Sequence, residues 1–193
     1  MTAVPQPKFS AEDYLAWEVT QTEKHEFVGG EAFAMAGASD AHVTVAGNLF
    51  VALRAHLRGT PCRTYIADMK LHMAAADAYF YPDVFVTCST ADALRPQDKA
   101  EPVLVAEVLS PTTAAYDRGA KFAAYRSLPS LQEYVLIDPE SPGVEVYRRD
   151  ASNHWVLYPY GPQDAAEFAS VGLTLPVAQV FEDVPPPGAA AAA

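Results

Sequence analysis

The stretch Val103-Leu-Val-Ala-Glu107-Val-Leu109 constrains this chain more than any other. It is apolar on both faces, as a strand inside a sheet should be, except that a carboxylate stands within it. A buried acid is costly unless something pairs with it, so the fold has to deliver a partner to Glu107. Upstream, Pro82-Asp83 precedes Val84-Phe-Val-Thr-Cys88, a short apolar run of core-strand length. Proline suits the first residue of a strand, because it has no N–H to give to the ladder. Two neighbouring strands can bring Asp83 and Glu107 close enough to share one Mg²⁺ (or Mn²⁺), since Mg²⁺ takes one or two carboxylates and leaves the rest to water and phosphate oxygens. A metal site of this kind also needs a cation to steady the charge that develops on a phosphate.

Lys121 is the candidate for that cation. Ser110-Pro-Thr-Thr113 ends the strand, and a helix expected over residues 113–127 carries Asp117, Lys121 and Tyr125 four residues apart on one face. Each residue also has a plainer reading. Asp83 after proline is a common turn residue, and Glu107 could pair with a nearby arginine. Asp117 and Lys121 stand in the acid-then-base order of a surface ion pair, and Tyr125 reads as core packing. Lys70 is a rival for the catalytic cation. Glu26 is either a further ligand or an acid that orients metal-bound water, or else an exposed hairpin residue.

The motifs Pro82-Asp83, Glu107-Val-Leu-Ser-Pro-Thr-Thr113, Asp117-Arg-x-x-Lys121-x-x-x-Tyr125 and Glu133-Tyr-Val-Leu-Ile-Asp-Pro139 together resemble the Uma-two restriction-endonuclease family. That family belongs to the PD-(D/E)XK nuclease-like superfamily. Lys24-His-Glu26-Phe-Val-Gly-Gly30-Glu31, followed by His42 at the start of a helix, is similar to the family's N-terminal half. The resemblance implies a restriction-endonuclease-like α/β sandwich with a mixed β-sheet and an αβββαβ core. It also implies Asp83 and Glu107 as metal ligands, with Asp83, Glu107, Lys121 and Glu26 as the catalytic set. The superfamily pattern places lysine two residues after the glutamate, where this chain has Leu109, and Lys121 on the following helix takes its place.

The rest of the chain fits one domain over residues 1–184 and a disordered Pro/Ala tail over residues 185–193. Ser10-Ala-Glu-Asp13 starts a short helix. Residues 25–35 read as a hairpin turning on Gly29-Gly30, and Ser39 or Asp40 caps a long helix to about Arg58. Strands are expected at 62–66, 69–73, 79–88, 103–109 and 133–137, then a C-terminal hairpin from 144–149 and 154–158, with 173–175 as an edge strand. The histidines show no zinc-ligand spacing. Cys62 and Cys88 form no metal-type spacing and are expected as reduced, buried thiols in a cytoplasmic protein with no membrane segment.

A net charge of −11 with only 13 basic residues argues against avid, sequence-blind DNA binding, although basic clusters can still guide a phosphate to a site. The first functional expectation is a Mg²⁺- or Mn²⁺-dependent endonuclease acting on DNA as a homodimer, since two-fold pairing suits cutting both strands. The alternatives are a silent nuclease-fold binding module, which Leu109 and the acidic balance favour, and a hydrolase of smaller phosphate esters.

Overall fold

The computed structural model describes residues 9–184, so the expected tail over 185–193 lies outside them. Helix α1 (Ala11–Glu18) starts at Ser10, whose side chain and Asp13 cap each other's backbone N–H groups. The hairpin β1 (His25–Val28) and β2 (Glu31–Ala34) turns on Gly29 and Gly30, both at positive φ. Helix α2 (Asp40–His56) begins where the Ser39 side chain accepts from the His42 N–H. Its buried side, Val45, Ala46, Leu49 and Leu53, gives the helix its place on the sheet. Burying Val45, Leu49 and Leu53 contributes roughly 1.5–3 kcal/mol each.

Strands β3 (Arg63–Ile66), β4 (Lys70–Met73), β5 (Ala78–Phe80) and β6 (Val84–Thr87) follow. After the short helix α3 (Thr90–Ala93) and β7 (Asp98–Lys99) comes β8 (Pro102–Val108). The next helix has three parts: α4 (Ala114–Tyr116), a π-helical turn (Asp117–Lys121) and α5 (Phe122–Tyr125). Strand β9 (Glu133–Ile137) leads to the hairpin β10 (Val144–Arg149) and β11 (Trp155–Tyr160). A smaller hairpin, β12 (Ala165–Phe168) and β13 (Leu173–Pro176), precedes α6 (Val177–Val180). Among the described residues, no helix is long and apolar enough to cross a membrane.

The main sheet runs β11-β10-β9-β8-β6-β3 and is mixed, because β8 and β9 are parallel while the other pairs are antiparallel. The parallel pair requires a crossover, and the π-containing helix provides it. Helix α2, strands β3, β6 and β8, that helix and β9 make the αβββαβ core. One face of the sheet packs Val84, Val86, Leu104, Ala106 and Val135 against α2, while the other packs Phe85, Val105, Leu109 and Tyr134 against Phe122 and Tyr125. A second sheet, β2-β1-β5-β4-β7, stands beside it.

Three expectations need correction. The run 79–88 is not one strand: β5 and β6 belong to different sheets. Pro82 lacks the N–H that a continuous ladder needs. The two cysteines are not free thiols; Cys62 and Cys88 are joined in a disulfide. Antiparallel pairing of Arg63 with Thr87 brings the residues just beyond them face to face. Finally, the 173–175 segment is no edge of the main sheet but pairs with β12. Its hairpin is tied down by Glu133, which is fully buried and accepts from Arg148 Nε at 2.8 Å, Ala169 N at 3.0 Å and Ser170 N at 2.8 Å.

Candidate active site

The break between the two sheets positions the site. Asp83 leaves it directly before β6, opposite the C-terminal end of β8, and its Oδ2 accepts the Val108 N–H at 2.7 Å. Its Oδ1 lies 2.9 Å from His42 Nε2, so the first turn of α2 reaches the same carboxylate. The backbone N–H of Asp83 points at Glu107 Oε2 from 3.5 Å, which makes the two acids neighbours. The register behind this is Val84 opposite Ala106.

Glu107 is buried and its Oε1 is fully engaged, accepting from Tyr125 OH at 2.6 Å and from Lys121 Nζ at 2.9 Å. The same ammonium lies 3.0 Å from Glu26 Oε1 and 3.8 Å from Asp117 Oδ1. Lys121 is only 6 % exposed and sits over the Phe80 ring. The π-helical turn lies between Asp117 and Lys121, and Tyr134 OH donates to the Asp117 carbonyl at 2.9 Å beneath it. π-Turns widen a helix locally and recur at functional sites.

All four sequence-derived candidates, Asp83, Glu107, Lys121 and Glu26, therefore meet in one largely buried cluster. Glu26 is buried rather than an exposed hairpin residue, and Tyr81 N donates to its Oε1 at 3.3 Å. Asp117 and Lys121 are not a surface pair but are both buried, and the partner of Glu107 is lysine and tyrosine, not arginine. Lys70 does not join them. The ladder sets Leu71 opposite Phe80, so Lys70 falls opposite Tyr81 and its amine lies over that ring at 5.4 Å. Lys121 sits instead over the ring of Phe80. Of the basic residues near the site in sequence, Lys99 is buried against carbonyls, while Arg95 and Arg118 pair with Asp98 and Glu145. Sequence reasoning missed the Tyr125 hydrogen bond and the burial of Asp117, for which four-residue spacing was the only signal.

Burial pushes Glu107 up to about 8; Lys121 works against this rise, and Asp83, Asp117 and Glu26 add to it. Burial also raises Asp117, again opposed by Lys121. For Lys121 itself burial disfavours the charge, but Glu107, Glu26 and Asp117 outweigh it and hold the ammonium well above its ordinary value. The cleft thus gathers more acid than base, an arrangement that a divalent cation relieves. Among the described residues, no three His, Cys, Asp or Glu side chains form a ready metal cage. Two carboxylates suffice for Mg²⁺, and Glu107 Oε2 carries only the long contact from Asp83 N. Asp83 and Glu107 are thus the two carboxylates that could hold a cation, which would take its other ligands from water and phosphate.

Comparison with other proteins identifies the family and the fold. The Uma2 family profile, described as "Putative restriction endonuclease", matches residues 11–180. The uncharacterized protein slr1290 of Synechocystis sp. (strain PCC 6803) is 38% identical over 179 residues, spanning 93% of this chain and 94% of its own length. A second uncharacterized protein of that organism, sll1609, is 38% identical over 150 residues, spanning 77% of this chain and 85% of its own. The fold matches the crystal structure of "a putative nuclease belonging to DUF820" from Anabaena variabilis ATCC 29413, with a TM-score of 0.72 over 90% of this chain and 98% of that one. At 16% identity this likeness speaks for the nuclease fold alone. With the family profile and both relatives spanning most of its length, this chain belongs to the Uma2 family.

Proposed function

We propose that this chain is a Mg²⁺- or Mn²⁺-dependent endonuclease that hydrolyses phosphodiester bonds in DNA. The observation that carries the reading is the Lys121 ammonium 2.9 Å from a Glu107 carboxylate whose neighbour is Asp83. Asp83 and Glu107 would hold the cation, which when bound polarises the scissile phosphate and lowers the pKa of water. Val108 N and His42 fix the two oxygens of Asp83. Tyr125 and Lys121 hold Oε1 of Glu107 and leave Oε2 facing its neighbour. Lys121 orients the attacking water or offsets the charge gathering on the phosphate oxygens. Glu26 keeps the ammonium in place from the other sheet.

Purified protein with Mg²⁺ or Mn²⁺ should nick plasmid DNA, and Asp83→Asn and Glu107→Gln should each abolish nicking. Activity that survives both substitutions rejects this site. A second reading, a silent binding module, is favoured by the enclosure of Lys121 among three carboxylates and by Leu109 at the superfamily's lysine position. Titration calorimetry separates them, because a silent module takes up no divalent ion near neutral pH.

A further inference from the structure

The outer side of α2 has no neighbour among the described residues. With Val45, Ala46, Leu49 and Leu53 against the sheet, helical geometry turns Asp40, Val43, Gly47, Val51 and Arg54 the opposite way. Val43 and Val51 are 58% and 65% exposed, and a methyl group on Gly47 would meet no atom within 4 Å. Glycine in mid-helix weakens the helix relative to alanine, and nothing among the described residues uses the room it leaves. Among the described residues the Asp40 carboxylate accepts one hydrogen bond, from Thr44 Oγ1 at 3.4 Å, and Arg54 makes no ion pair.

These residues are spaced symmetrically, valines four residues and charges seven residues to either side of Gly47. Reversing the helix lays valine on valine and the base where the acid stood. We propose that this face is a homodimer interface, with two copies of α2 packed antiparallel about a twofold axis at Gly47. Val43 of each copy meets Val51 of the other, Asp40 meets Arg54, and the two glycines let the backbones approach at the axis. Such an interface is isologous and closes after two copies, and antiparallel helices also set their dipoles head to tail. Charge complementarity at both ends selects a second copy over an unrelated apolar partner. His42 lies five residues from the axis, so dimerisation fixes the two clefts roughly 15 Å apart along the helix direction. The inference does not depend on the nuclease reading.

Sedimentation equilibrium of the full chain tests it. The wild type should show the mass of two chains. Gly47→Leu, Asp40→Arg and Arg54→Asp should each weaken association by about tenfold or more. The double variant Asp40→Arg with Arg54→Asp should recover dimers to within about threefold of wild type. Damage to the helix ends would add in the double variant, so recovery distinguishes a contact between copies from misfolding. A monomeric wild type, a dimer indifferent to the single substitutions, or a double variant no better than the singles would overturn the proposal.

Discussion

Glu107 holds its proton in the folded, metal-free cleft up to about 8, whereas in the unfolded chain it gives it up near 4.5. The folded state therefore binds the extra proton between these values, and its stability is full below the lower one and declines as pH rises toward the upper. Asp117 acts in the same direction. Lys121, with its value raised, loses its contribution only above its ordinary range and does not offset this slope. In EDTA the thermal midpoint should fall between pH 5 and pH 8, and Glu107→Gln should flatten that part of the curve. Tyr125→Phe removes the hydroxyl that holds Oε1, and should cost about 1–2 kcal/mol in a urea titration while the fold persists. Leu109 is buried beside Phe122 and Tyr125, so Leu109→Lys in a Lys121→Ala background should destabilise the protein and fail to restore nicking. Glu107 was legible in the sequence because a lone charge in an apolar run demands a partner. Tyr125 was not, because an aromatic residue at helical spacing reads equally well as core.

The helix spanning α4, the π-turn and α5 carries the base, and β6 and β8 carry the acids. The order of these elements could be read from hydrophobic runs and from the Ser110-Pro111 stop. The π-turn could not, because it answers to tertiary contacts such as Tyr134 OH on the Asp117 carbonyl. The break before β6 was half legible: Pro82 marked a strand start, but only the pairing shows that Ala78–Phe80 and Val84–Thr87 join different sheets. Glu133 illustrates what a strand residue can do beyond its own sheet. It fastens the β12–β13 hairpin through Ala169 and Ser170, and Glu133→Ala leaves Arg148 Nε and two backbone donors without their acceptor, while the rest of the guanidinium keeps Glu167. The expected loss is roughly 2–3 kcal/mol, with fast hydrogen exchange confined first to the hairpin.

Across the whole molecule, the cleft is assembled from both sheets, α2 and the crossover helix, so no fragment contains it. Cys62 and Cys88 join the edge strand β3 to β6 across a sequence separation of 26. Their spacing gave no hint of this, since only the antiparallel ladder brings them together. Reducing the bond should lower the unfolding free energy by about 3 kcal/mol, seen as a lower urea midpoint. The ladder that remains should keep the fold.

The acids ride on strands clamped by backbone rungs, whereas Lys121 rides on a helix seated on stacked rings, Phe122 on Tyr134 at 4.6 Å and Tyr125 edge-on to Phe80 at 5.4 Å. A helix seated this way can tilt without snapping a single rung. On warming, the amine should drift from its acids while far-UV dichroism still looks native, so that the cleft is disarmed at a lower temperature than the one at which the sheet melts.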